Sequence, residues 1–504
     1  MHRLSALILS LLPMMVAARG DDSLRVANMQ QLADAFSAVA HPDLLLYRNP
    51  ALQPFHYDRS LSEIAFSFES RNDDNPLWTE QGSGYRGGAF NAKSFTRLGS
   101  RSVVWGQAGY NNGRRLDQQW SENADFLVIR PYVTADTIGG DMQCEQYAFR
   151  GGYAWQGDNW NLGAEMGYRS GLEYRDHDPR PKCTTLDVDF SLGAGHRLAA
   201  HYLVGAYVSV SKYNQQQSIR FMNPRGVSLV YQMTGLGTHY FRFKGDKTDT
   251  RYDGSSWGVG LNLCRVGGMG PSLSLGTRRF SLEKQLTDEH YLPLCDIGYR
   301  HHRLQLSWRQ PEYDVVLSAD VHHRVGTEHI YDSGVTFYKE ITSIKSYLSD
   351  VQQVSLSAAR RFSSSSDFRL ELNPQVVFSN EKTTYESPYR ESSFSSISGL
   401  LSVDGRFLHC GGVLMMQVYG GYHRNLDQKL VINSADDFPK AAESVELNHY
   451  SQTAHYGVIG VSIRHDWPVT RFVSTVFVRA SSGWQLYAAG KSNSQFSLSA
   501  GVVL

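Results

Sequence analysis

From about residue 61 to the C-terminus, apolar and polar positions alternate over stretches of roughly 10 to 14 residues. The clearest stretch follows Gly157-Asp158, where one face carries Trp160, Leu162, Ala164, Met166 and Tyr168 and the other carries Asn161, Gly163, Glu165, Gly167 and Arg169. A period of two is typical of strands with two different faces. Strands of soluble proteins average about 5 to 6 residues, whereas these stretches are long enough to cross a bilayer at a tilt. The pattern therefore predicts an all-β protein, an antiparallel transmembrane β-barrel, rather than a soluble sandwich.

The connections between these stretches alternate in length. Short links occur around 99–100, 157–158, 198–199, 267–270, 310–312, 363–366, 408–410 and 466–470, and longer polar segments occupy 112–145, 215–251, 326–350 and 425–453. Outer-membrane barrels have short periplasmic turns and long external loops. Eight hairpins, with further strands at about 61–69 and 494–503, predict about 18 strands within a range of 14 to 18, and both termini in the periplasm. Residues 125–135 look strand-like, but counting them as a strand would make the number of strands odd. We therefore assign them to an external loop.

The N-terminus predicts export. A basic start, an apolar stretch from Leu4 to Val16 and small residues before Asp21 are typical of a signal peptide over 1–20; the alternative is a membrane-anchor helix. Residues 21–60 are then a periplasmic or hatch segment, and residues 61–504 form the outer-membrane barrel. Apolar residues between Leu24 and Val39 recur at helical intervals, which indicates either a short plug helix inside the lumen or a loosely ordered leader.

Composition and charge narrow the function classes. The 49 basic and 49 acidic residues cancel, whereas a nucleic-acid-binding protein normally carries a basic excess. A mean hydropathy of −0.37 argues against a polytopic helical membrane protein. The five cysteines are odd in number and widely spread, which predicts neither a disulfide framework nor a zinc site; a bridge between Cys144 and Cys183 remains open.

Charged residues on the polar faces are the candidates for a functional site in the lumen. They are Glu165, Arg169, Asp187, Asp189, Asp320, Arg324, Arg369 and Glu371. In a wet lumen they would build a constriction that selects solutes by charge, or they would pair with each other and hold the wall or plug rigid. The aromatic residues of the long segments, such as Tyr231, Tyr240, Phe241, Tyr385 and Tyr389, would bind glycans or partner proteins, or fold inward and narrow the pore.

The residues that suggest catalysis or metal binding do not form a recognisable motif. His301-His302 and His322-His323 are adjacent pairs, and neighbours in a strand point to opposite faces, so neither pair chelates one ion. Ser318, Asp320 and His322 share a face, but their spacing of about 7 Å is too long for a direct relay along the strand. We therefore predict no enzyme, no catalytic residue, no cofactor and no metal site.

Three resemblances add to these patterns. The terminal strand, Phe496 to Leu504, is similar to the insertion signal of Gram-negative outer-membrane barrels, although Leu504 replaces the usual terminal aromatic residue. Residues 45–51, Leu-Leu-Tyr-Arg-Asn-Pro-Ala, resemble the segment that precedes the barrel in long-chain fatty-acid-transporter-like proteins, which implies a hatch inside the barrel. With the segments 92–95, 131–141 and 147–153, the chain resembles a family of uncharacterised outer-membrane β-barrels of Bacteroidota over nearly its full mature length; that family carries no assigned activity.

These observations predict a barrel in the outer membrane of a Gram-negative bacterium that acts as a channel or uptake porin for a small solute, hydrophobic if the hatch resemblance holds. The alternative is a surface adhesin or an anchor barrel with a blocked lumen. Expected partners are outer-membrane lipid and lipopolysaccharide, the barrel-assembly machinery during insertion, and the solute; nucleic acid is not expected.

Overall fold

The computed structural model describes residues 45–504 except 58, 200, 224–228, 246–248, 266–268, 288–290, 333–337, 364–367, 410–411, 433–438, 470–474 and 489. The predicted signal peptide and the helical segment between Leu24 and Val39 lie outside the described residues. Eighteen long strands form one antiparallel sheet, and β1 pairs with both β2 and β21, so the sheet closes on itself. The predicted transmembrane barrel of 18 strands is confirmed.

The barrel strands are β1 (Leu61–Asp73), β2 (Gly84–Leu98), β3 (Ser102–Gln118), β5 (Gly140–Gln156), β6 (Trp160–Tyr174), β7 (Arg180–Ala199), β8 (Tyr202–Arg220), β11 (Thr250–Arg265), β12 (Gly270–Leu286), β13 (Leu292–Arg309), β14 (Tyr313–Tyr331), β15 (Glu340–Ser363), β16 (Phe368–Glu386), β17 (Tyr389–His409), β18 (Gly412–Val431), β19 (Tyr456–Pro468), β20 (Thr475–Tyr487) and β21 (Ser492–Val503). Three short strands, β4 (Thr134–Ala135), β9 (Tyr231–Gly235) and β10 (Thr238–His239), form a separate small sheet. The helices are α1 (Phe126–Ile129) and α2 (Pro439–Thr453), with 3₁₀ helices at Leu45–Arg48, Pro50–Phe55, Thr79–Gln81 and Phe241–Phe243. Within the described part of the chain, no helix is long and apolar enough to cross a membrane.

The alternating pattern determines which side of the wall each residue occupies. Trp160, Leu162 and Met166 are 54%, 50% and 55% exposed on the outside of the barrel, whereas Asn161 between them is 4% exposed. The same contrast recurs around the wall, because exposed Val, Leu, Ile and aromatic side chains alternate with buried polar ones. A closed sheet with an apolar exterior leaves no unpaired strand edge and offers a surface suited to lipid.

The short links of the sequence join consecutive strands at one end of the barrel, as predicted. The long connections predicted from the sequence include too many residues, because parts of them belong to strands. Strand β14 continues to Tyr331, β15 begins at Glu340 and β18 continues to Val431. At this end both strand faces carry polar residues, so the hydrophobic alternation fades while the backbone pairing continues. Strands β16 and β17 even meet in a two-residue turn at 387–388 on the same side.

Residues 125–135 lie in the connection between β3 and β5, as predicted, but they do not form an external loop. They contain α1 and β4, and Ile129 and Tyr132 are fully buried inside the barrel. The apolar side chains that made the segment look strand-like pack against the interior wall, which is why the segment folds inward.

Candidate functional site

Residues 45–57 lie against the interior wall at the end with the short turns. The Asn49 side-chain amide donates to the carbonyls of Ala194 and Ala206, at 3.3 and 3.2 Å. The Leu45 amide donates to Gln305 at 2.8 Å, and Arg97 donates to the Pro54 carbonyl at 2.6 Å. The segment therefore reaches from β2 to β14, where Leu46 and Leu52 share a hydrophobic cluster with Val316.

Two glycines make room for this segment. A Cβ on Gly163 would lie 2.4 Å from the Pro50 carbonyl carbon, and one on Gly193 would lie 2.0 Å from the Asn49 side-chain oxygen. The sequence places both glycines on the polar face of the wall but does not show what they accommodate. Whether residues 21–60 plug the lumen stays a prediction, because 21–44 lie outside the described residues.

Three connections fold into the interior at the opposite end: residues 119–139, residues 221–249 where described, and α2. They share a hydrophobic cluster with the wall. Tyr132 and Tyr252 are fully buried there, and the Tyr252 hydroxyl donates to the Tyr132 carbonyl at 2.8 Å. Gly326 accommodates Tyr132, since a Cβ at that position would lie 2.2 Å from the Tyr132 hydroxyl. The connections thus cover the lumen from this side.

The aromatic residues expected in long loops occupy two environments. Tyr231 and Tyr385 are buried, and the Tyr240 hydroxyl donates to the Leu294 carbonyl at 2.7 Å. Phe241 and Tyr389 are 65% and 49% exposed. The three tyrosines Tyr231, Tyr240 and Tyr385 therefore fold inward, as one of the two alternatives predicted. Phe241 and Tyr389 face outward.

A buried charge network fixes the 119–139 connection. Arg175 bonds to both Glu122 and Asp136, at 3.0 Å in the latter case, and all three side chains are at most 1% exposed. Burial, together with the bond to Asp136, raises the pKa of Glu122 well above its usual value. Burial also acts to raise the pKa of Asp136, but the bond with Glu122 and the charge of Arg175 outweigh it and lower this pKa. Asp136 is therefore the more acidic of the two carboxyl groups and the better counter-ion for Arg175.

Glu80 links the β1–β2 connection to α2. Asn448 donates to the Glu80 carboxylate at 2.8 Å, and the Asn448 side-chain oxygen accepts from the Thr79 amide at 2.9 Å. Burial raises the pKa of Glu80 to about 7, against the lowering effect of its hydrogen bonds. The contact that holds α2 over the barrel mouth therefore contains a carboxyl group that titrates near neutral pH.

Four of the eight candidate residues lie together on β6 and β7. Arg150 binds Glu165 at 2.7 Å and Asp189 at 2.7 Å. Arg169 donates to both oxygens of Asp125, each at 2.8 Å, and lies 3.6 Å from Asp187. Arg169 thus ties the wall to the 119–139 connection. Sequence analysis did not identify Arg150 or Asp125 as partners, because both come from other strands or connections.

The candidates on β14 and β16 also contact other groups. Arg324 donates to the carbonyls of Arg130 and Leu127, at 2.6 and 3.0 Å. Glu371 accepts from Arg361 at 3.3 Å. Arg369 lies on the same face of β16 as Glu371 and pairs in register with Arg406. Most of the predicted lumen charges are therefore engaged in holding the wall and its inward connections.

Two cavities lie against the interior wall of the described barrel. One, of about 290 Å³, is lined by residues that include Glu69, Arg115, Arg169 and Glu173. The other, of about 380 Å³, lies along strands β14 to β18 and is lined by residues that include Asp314, Asn373 and Gln417. Both are near the lower end of the size range of small-molecule sites, about 300 to 1,000 Å³.

The histidines meet across two strands rather than along one. His301 on β13 is paired in register with His322 on β14, and their rings stack at 4.1 Å. Asp320 lies 2.8 Å from the His301 Nε2 atom. The predicted separation of adjacent histidines holds, since His302 contacts Thr277 and His323 contacts Asp350 on the outer face. The cross-strand register, which brings one histidine of each pair together, is not visible in the sequence.

The structure forms neither the relay of Ser318 and His322 nor the bridge of Cys144 and Cys183 that were considered from the sequence. Ser318 accepts a bond from Gln305 at 3.1 Å, and His322 bonds to the Tyr299 hydroxyl instead. Cys144 and Cys183 are both free thiols, so the bridge between them that sequence left open does not form. The Cys183 thiol is buried and donates to the Glu122 carbonyl at 3.1 Å.

Comparisons with solved structures found receptors and an outer membrane transporter at low similarity. The siderophore receptor PiuA from Acinetobacter baumannii is 7% identical, with 89% of this chain and 82% of that chain covered and a TM-score of 0.42. The outer membrane transporter YddB from Escherichia coli is 8% identical, with 89% and 81% covered and a TM-score of 0.40. BauA, the ferric preacinetobactin receptor from Acinetobacter baumannii, is 9% identical, with 89% and 80% covered and a TM-score of 0.39. At these values the three structures are no guide to what this chain binds.

Among curated proteins, no sequence matches the chain significantly. The expected origin in Bacteroidota and the resemblance to fatty-acid transporters stay predictions. A family of unknown function, DUF6850, matches residues 50–504, and the protein belongs to this family.

Proposed function

We propose that the protein is an outer-membrane barrel that takes up a small polar solute and is closed at rest by its own segments. The observation that carries this proposal is the interior: a charged, polar wall lined by cavities of about 290 and 380 Å³, with residues 45–57 against it at one end and three connections folded inward at the other. An apolar exterior and a polar interior are the two surfaces that a barrel needs to pass polar solutes through lipid. Contact with lipopolysaccharide and insertion by the barrel-assembly machinery belong to the same proposal.

The interior charges favour a polar solute over a strongly charged one. Acidic and basic side chains pair on the wall, as in the sets around Arg150 and Arg169. A pore that selects by charge needs an excess of one sign along the path. We therefore expect weak ion selectivity once the lumen is open.

Planar-bilayer conductance tests the proposal. The wild-type barrel should show little conductance. A variant that lacks residues 21–57 and has the three inward connections, residues 120–138, 222–248 and 433–454, replaced by short Gly-Ser linkers should conduct steadily. Heat-modifiable migration on SDS gels checks that the variant remains a folded barrel. If the folded variant stays electrically silent, the transport proposal is wrong.

The second candidate is a surface adhesin or anchor barrel with a blocked lumen. The hydrophobic cluster around Tyr132, Tyr252 and Leu294 favours it, because these side chains are fully buried across the lumen. Such a core costs free energy to open, at about 25 cal/mol per Å² of apolar surface exposed. A silent but folded variant in the conductance experiment would support this role.

A further inference from the structure

Three side chains on the interior wall place nitrogen and oxygen donors around one point. His301 and His322 are directly opposite in the β13–β14 register, and their rings are nearly parallel at 15°. The Asp320 carboxylate lies 2.8 Å from His301 Nε2. One donor atom from each of the three residues lies within 4.8 Å of the other two. A small rotation of each side chain would bring the three donors to the spacing that a single ion needs.

The donor set is the one that first-row transition metals prefer. Two imidazoles and one carboxylate are a common ligand set for such ions, and three protein ligands leave a coordination position open. The Tyr299 hydroxyl bonds to His322 Nδ1, which leaves His322 Nε2 available and fixes the ring. Metal-ligating histidines usually have their second nitrogen held in this way.

The site is accessible from the lumen. The side chain of His301 is 18% exposed and that of Asp320 is 15% exposed. The three ligands lie in the middle of strands that pair on both sides, so their backbone positions are rigid. A rigid scaffold places ligands more accurately than a loop does.

The neighbouring charges oppose a cation and limit its affinity. Arg303 lies 3.3 Å from Asp320, and Arg278 faces His301 across the β12–β13 register. Arg324 lies 5.3 Å from the Tyr299 ring. This positive field excludes hard ions such as Ca²⁺ and Mg²⁺, which need several anionic oxygens. Neutral imidazoles bind Cu²⁺ and Zn²⁺ without that requirement.

We propose that His301, Asp320 and His322 form a binding site for one Cu²⁺ or Zn²⁺ ion on the lumen wall. The site does not depend on whether the barrel conducts, since its donors are fixed by strand pairing alone. Cu²⁺ should bind more tightly than Zn²⁺, following the usual order of divalent-metal affinities.

The test titrates the tag-free, detergent-purified full barrel with Cu²⁺, followed by electron paramagnetic resonance, and with Zn²⁺, followed by calorimetry. The wild type should bind one ion with a nitrogen hyperfine pattern. The double variant H301A/H322A should lose at least about 100-fold in affinity, and Y299F about 10-fold or more.

The chain supplies a matched control. His302 and His323 are the next residues on the same two strands and lie on the outer face, so H302A/H323A should bind the ion as the wild type does. R303Q should bind more tightly, because it removes the charge that competes for Asp320. Equal losses in the two double variants, or no one-to-one binding by a folded wild type, would overturn the proposal.

Discussion

At the scale of single residues, the stability of the barrel interior depends on how the charged side chains in each buried cluster balance one another. Arg175 is 1% exposed and is balanced by Asp136, whose pKa is lowered, while burial and the bond to Asp136 raise the pKa of Glu122. Removing the partner of a buried charge costs about 3 to 5 kcal/mol, because the remaining charge is left uncompensated. The two acidic residues should therefore respond differently to amide substitution.

We expect Asp136→Asn to release the 119–139 connection and Glu122→Gln to leave it in place. Limited chymotrypsin digestion in detergent measures this, since cleavage after the buried Phe126 or Tyr132 requires the connection to leave the interior. Asp136→Asn should be cleaved much faster than the wild type. Equal cleavage of both variants would mean that the network does not anchor the connection.

A second residue-scale prediction concerns the space at Gly163. Leucine at this position should displace residues 45–57, because even a Cβ would meet Pro50 at 2.4 Å. The expected result is protease cleavage within 45–57. Gly399 has nothing within 4 Å of its Cβ position, so Gly399→Leu should leave this cleavage at the wild-type rate.

At the scale of elements, α2 is held partly by a titrating carboxyl group. Glu80 has its pKa raised to about 7, so the folded state binds its proton more tightly than the unfolded chain does. The stability contributed by this proton is present at pH 5 and declines as the pH rises from about 4.5 towards about 7. Because burial disfavours the ionised carboxyl group, the docking of α2 should weaken above neutral pH although the Asn448 bond favours the ionised form.

We expect the docking of α2 to be tighter at pH 5 than at pH 8. Hydrogen exchange of α2 amides at the two pH values, corrected for intrinsic rates, measures this. Glu80→Gln should remove most of the difference, whereas Glu443→Gln, on the exposed side of α2, should retain it. A pH dependence that survives Glu80→Gln would assign the effect to another group.

At the scale of the whole molecule, the two ends of the barrel should face different compartments. Asp158 lies in the short turn before β6 and Asp176 in the connection after it, so the two residues mark opposite ends of one strand. In a cysteine-free background, Asp176→Cys should react with an impermeant maleimide on intact cells. Asp158→Cys should react only after the outer membrane is permeabilised, and the reverse result would invert the proposed orientation.

Much of the architecture follows from the sequence because the alternation of apolar and polar residues depends only on the surroundings of each strand. A strand with lipid on one side and water on the other must alternate, so the number of strands, their short turns and the apolar exterior at Trp160 and Leu162 were predictable. Closure of the sheet follows as well, since strand edges are not tolerated in lipid. The same alternation identified the candidate charged residues of the lumen.

The tertiary structure alone decided what fills the barrel and which side chains meet. Residues 125–135 carry no signal that distinguishes an external loop from an inward one, because Ile129 and Tyr132 are buried by wall residues far away in the chain. The pairing of His301 with His322 depends on the register between β13 and β14, and the length and type of the hairpin turn fix that register. Long-range contacts of this kind leave no periodic trace in a single sequence, whereas the two faces of a strand do.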